Sequence, residues 1–65
     1  MNNEILLQKV RQQESYLLKL RESLERRLIS INDSKSYQFE RAKMIGMMDI
    51  LDLLKIDRSE FNWIF

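Results

Sequence analysis

Cysteine, histidine and proline are all absent from this 65-residue chain, and glycine occurs only once. Without cysteine there are no disulfides and no thiolate metal sites. Without histidine the chain lacks the commonest metal ligand and the commonest general base. With no proline and one glycine, nothing punctuates strands into β-hairpins. No run of ~18 apolar residues exists, so no membrane span is expected. A one-sided charge is also missing. The net charge is +1; residues 1–33 carry six basic and five acidic side chains, and residues 34–65 carry five of each. Nucleic-acid binders gather Lys and Arg on one face to neutralise phosphates, so nucleic acid is not the expected partner. The opening Met1-Asn2-Asn3-Glu4 lacks the basic start and apolar stretch of a signal peptide, so a cytoplasmic, soluble protein is expected.

What is present is helix-forming and amphipathic. Leu, Ile, Met, Glu, Lys, Arg and Gln are abundant, and 45% hydrophobic with 32% charged residues suits a folded helical chain better than a disordered one. A chain this short buries only about 60% of the surface that its unfolded form exposes. Area bookkeeping for such a chain usually comes out near zero unless a disulfide, a metal or a partner subunit adds to it, and of these only oligomerisation remains here.

Leu6, Val10, Leu17, Leu20, Leu24, Leu28 and Ile31 follow one another at steps of 4, 7, 3, 4, 4 and 3. This alternation predicts a coiled-coil-like seam on a first helix over about residues 4–31. Gln13 falls on the seam, and the 4, 4 step at Leu20–Leu24–Leu28 favours a bundle over a long regular coiled coil. Glu22 and Arg26 stand at i,i+4 in the favourable order. Asn32-Asp33-Ser34-Lys35-Ser36 is the expected joint, because Asn, Asp and Ser compete for backbone hydrogen bonds. Asp33, Ser34 and Ser36 are each candidate N-caps for a second helix over about 36–56. A single unbroken helix is the alternative, since neither glycine nor proline enforces the turn.

On the second helix Phe39, Ala42, Met44, Gly46, Met47, Ile50, Leu51, Leu53 and Leu54 fill an arc of about 200° at 100° per residue. A helix with one packing partner needs a stripe of about 100°. The excess predicts that residues 1–56 form an all-α, antiparallel two-helix hairpin that dimerises into a four-helix bundle. The expected dimer interface is Ala42, Gly46, Met47, Ile50, Leu51, Leu53 and Leu54. Gly46, with Ala42 one turn earlier, suits close helix approach. Met44, Met47 and Met48 are expected to fill gaps in the dimer core.

Catalysis finds little to work with. Ser15, Ser23, Ser30, Ser34, Ser36 and Ser59 come with neither a glycine-rich turn nor an oxyanion-binding loop, and there is no phosphate-binding loop. Asp49 and Asp52, at i,i+3, read as a solvated helix face. No enzyme activity, cofactor or metal is expected.

Residues 57–65 form an unusual tail. Three of the last five residues are aromatic and a fourth is isoleucine. Two outcomes compete: the tail folds back over the bundle with Trp63 in the core, or Phe61, Trp63, Ile64 and Phe65 dock on another protein, since large aromatics are enriched at binding hot spots. The functional expectation is a homodimer acting on an unidentified protein as adaptor, inhibitor or regulator. The alternatives are a nucleic-acid-binding accessory protein using Lys19, Arg26, Arg27 and Lys35, and a structural scaffold component.

Overall fold

The α1 helix (Asn3–Arg26) carries its buried residues at a strict spacing of seven: Val10, Leu17 and Leu24. This is a computed structural model that describes residues 3–65. Leu6, Leu7 and Leu20 widen the stripe as half-buried neighbours. On the flank, Glu22 and Arg26 form the expected ion pair, and Arg21 pairs with Glu25 at 3.3 Å.

The helix stops five residues short of the expected Ile31. Leu28 takes a left-handed φ of 57°. The Ile29 N–H then bonds to the Leu24 carbonyl at 2.9 Å, and the Leu28 N–H to the Glu25 carbonyl at 3.0 Å. These are the two bonds of a Schellman ending, which satisfies the last carbonyls and turns the chain away. Leu28 therefore leaves the seam and is 94% exposed.

The joint is a single 3-10 turn, Ile31–Asp33, opened by Ser30, whose hydroxyl accepts from the Asn32 N–H. Ser34 then caps α2 (Lys35–Leu53), its hydroxyl accepting from the Tyr37 N–H at 3.1 Å. Of the three candidate caps, Ser34 takes the position because Tyr37 stands three residues on, where the free N–H groups lie. A second Schellman ending closes α2 before the expected Ile56. Lys55 adopts φ 58°, and Ile56 N–H bonds to the Leu51 carbonyl at 2.9 Å.

The Asp57 carboxylate accepts from the Ser59 N–H at 3.0 Å, which holds its pKa below the ordinary aspartate value. A final 3-10 segment, Ser59–Ile64, follows. The described residues contain helices and turns and no strand, so the all-α class is observed.

One core joins the three segments. Val10, Leu17 and Leu24 of α1 meet Tyr37, Met44, Met48 and Leu51 of α2, with Phe61 and Ile64 of the tail. Gln13, the polar interruption of the seam, is satisfied there: its amide donates to the Glu40 carbonyl at 2.9 Å and to the Glu40 carboxylate at 2.8 Å. That bond, followed by Lys43 at 3.0 Å, lowers the Glu40 pKa from its ordinary value.

Candidate association surface

Burial divides α2 into two faces. Tyr37, Met44, Met48 and Leu51 face the core. Phe39, Ala42, Gly46, Ile50 and Leu53 are all exposed. At ~100° per residue the two sets are centred roughly 170° apart, on opposite sides of the helix. The exposed set is apolar throughout, and its large members are open to solvent: Leu53 is 82% exposed, Phe39 64% and Ile50 47%. Leu54 borders the stripe, and Met47 is half-buried between the two faces. Lys43 lies along one edge, its ammonium 5.6 Å from the centre of the Phe39 ring.

The steps along this stripe are 3, 4, 4 and 3, which keeps one line on a helix surface. Measured from Gly46, the other members stand at −7, −4, +4 and +7, so the spacing reads identically in both directions. Bulk is distributed symmetrically about the middle only in part: Ala42 and Gly46 are small, Ile50 is large, and Phe39 and Leu53 close the ends. A Cβ built on Gly46 would meet nothing within 4 Å. Nothing inside the chain therefore requires glycine there, although glycine in a helix interior costs about 1 kcal/mol against alanine.

Most of the residues expected at a dimer interface lie on this stripe or at its edge. Leu51 does not. It is fully buried in the core, because it continues the Tyr37–Met44–Met48 line and also receives the Ile56 N–H at its carbonyl. Met44 and Met48 likewise fill the core within the chain. Phe39 was not among the expected interface residues and stands at one end of the stripe; its spacing of seven from Gly46 is the signal that reveals it.

The tail separates into two kinds of residue. Phe61 and Ile64 are core residues, so neither is free to dock elsewhere while the tail is seated. Phe65 is exposed, and Trp63 stands at the surface with its indole N–H donating to Glu14 at 2.7 Å. Polar contacts fasten the tail on both sides. Arg11 pairs with Glu60 at 3.0 Å, Arg41 Nε donates to the Ile64 carbonyl at 2.9 Å, and Arg58 joins Asp52 at 2.6 Å to Asn62 at 2.7 Å. Arg58 also lies 5.1 Å from the Phe65 ring centre. The fold-back outcome therefore describes Phe61 and Ile64, whereas Trp63 is at the rim rather than in the core.

The basic residues of the nucleic-acid alternative, Lys19, Arg26, Arg27 and Lys35, are exposed, and Arg26 is occupied by Glu22. Asp52 is engaged by Arg58, and among the described residues no three acidic side chains gather where a metal could be held. No described helix is long and apolar enough to cross a membrane. Comparison with protein families, with curated proteins and with solved structures finds no match for this chain. The class defined by the fold is that of small all-α proteins, and function must be argued from the surface itself.

Proposed function

We propose that this chain is a non-enzymatic association module. Its two helices act as an antiparallel hairpin, and two copies pair through the outer face of α2 into a four-helix bundle. The observation that carries this reading is the symmetric stripe centred on Gly46. In a two-fold crossing at Gly46, Phe39 of one copy lies opposite Leu53 of the other, and Ala42 opposite Ile50, small against large. A closed homodimer requires such a self-complementary patch. A contiguous exposed apolar stripe marks an interaction surface, and Gly46 lets the two backbones approach most closely at the crossing. In that assembly the protein serves as an adaptor, inhibitor or regulator of another protein.

Sedimentation equilibrium of the wild type and of Leu53→Glu tests the pairing. At ~10 µM, where a complex of micromolar affinity is populated, the wild type should sediment as a dimer and Leu53→Glu as a folded monomer. A wild type that is folded and monomeric there would refute it.

A further inference from the structure

Away from the stripe, α1, the joint, α2 and the tail meet around a cavity of about 320 Å³. That volume falls at the small end of the range for ligand sites. Its polar wall is made by Arg21, Asn32, Tyr37, Gln38 and Arg41. Tyr37 is only 2% exposed as a residue and lines the cavity. No hydrogen bond joins its hydroxyl to another described residue, and since no buried side-chain polar atom among the described residues lacks a partner, that oxygen is one that stays accessible rather than sealed in the core. Arg41 is half-buried and holds the Ile64 carbonyl through Nε, while among the described residues no carboxylate is found within ion-pair distance of its guanidinium. Arg21 reaches the same cavity, its Nε paired with Glu25 on the helix flank. Ile31, Trp63 and Phe65 supply the apolar wall.

Two guanidinium groups and a free hydroxyl around one space offer hydrogen-bond donors and positive charge, which match an oxyanion through charge-assisted bonds. The aromatic and aliphatic wall matches a flat apolar body attached to it. We infer that this cavity binds a small organic anion, a carboxylate or phosphate monoester carried on a ring. The anionic oxygens meet Arg21, Arg41 and the Tyr37 hydroxyl, and the ring packs against Trp63 and Phe65. None of these residues belongs to the α2 stripe, so the inference stands or falls independently of self-association.

The test is an NMR titration of the full chain with benzoate, phenyl phosphate and inorganic phosphate, following the Trp63 indole N–H and the arginine Nε–H signals. At least one ring-bearing anion should give saturable shifts with Kd near or below ~1 mM, the weak end of specific small-ligand binding. Whichever of benzoate and phenyl phosphate binds tighter identifies the anionic group. Arg21→Gln and Tyr37→Phe should each weaken that binding about tenfold, the effect of losing one good hydrogen bond. Arg21 is at the surface and the Tyr37 hydroxyl is unpartnered, so both variants should keep the wild-type melting curve. Absence of saturable shifts with both ring-bearing anions up to ~10 mM would overturn the proposal, that concentration being about ten times the expected Kd. So would affinity unchanged in both variants, or inorganic phosphate binding as tightly as phenyl phosphate.

Discussion

On one side of α2, Tyr37, Met44, Met48 and Leu51 are sealed against α1 and the tail; on the other, Phe39, Ala42, Gly46, Ile50 and Leu53 face outward. The two faces are similarly apolar, yet their shapes differ. The inner face is filled by large side chains, two of them methionines that adapt to irregular space. The outer face is thin at its centre, where Gly46 and Ala42 stand, and bulky at its ends. An inner face needs volume to fill the space against its neighbours, whereas under the pairing we propose the outer face needs room for a backbone to approach. The difference teaches that apolarity alone does not tell the buried face of this helix from its exposed one; the order of large and small residues along them does differ.

Substitutions that treat the two faces alike should break the comparison in opposite ways. Leu51→Glu places a charge in the core and should leave the chain unfolded by circular dichroism, since a buried unpaired charge exceeds the margin of a small fold. Phe61→Ala empties the space that the tail fills and should cost about 3–5 kcal/mol in chemical denaturation. A change below ~0.5 kcal/mol, the size typical of surface sites, would instead mean that the tail is not part of the core.

Gly46→Ala sharpens the comparison further, because it raises helix propensity without meeting any atom of its own chain. It should stabilise the monomer by about 1 kcal/mol while weakening the dimer. Melting curves at several concentrations separate the two effects. Leu28→Gly and Lys55→Gly act on both Schellman endings. Each replaces a side chain held at positive φ by the residue that adopts it freely, and each should raise stability by up to about 1 kcal/mol.

The smallest effect concerns pH. The Glu40 carboxyl is held below its ordinary value of 4.5 first by Gln13 and then by Lys43. A group whose folded pKa is lowered stabilises the fold above the unfolded value and loses that contribution as pH falls through the folded one. Thermal melts of Gln13→Ala should therefore lie below the wild type at neutral pH, and the gap should narrow on the acid side of 4.5 to the part carried by the Gln13 bond to the Glu40 backbone carbonyl.

Much of this fold was legible beforehand. The Val10–Leu17–Leu24 spacing marks the α1 core, the Glu22–Arg26 spacing marks a flank pair, and Ser34 was among the cap candidates. The helix ends were not legible, because Leu28 and Lys55 occupy positions where glycine is the usual signal. The inward side of α2 was also hidden. Periodicity gives the angle of Leu51 and Met48 round the helix but not which neighbour lies at that angle, and the neighbour here includes a tail distant in sequence. Gln13 looked like a flaw in the seam until Glu40 stood beside it. Of the donors around the cavity, Tyr37 and Arg41 stand one turn apart on α2 but Arg21 comes from α1, so no single local motif announced them.

The most direct test of the pairing remains sedimentation equilibrium with Leu53→Glu beside the wild type at ~10 µM, a concentration that populates a micromolar complex. The reading predicts a wild-type dimer and a folded monomeric variant with an unchanged circular dichroism spectrum. Equal masses for the two proteins, whether both monomer or both dimer, would contradict it.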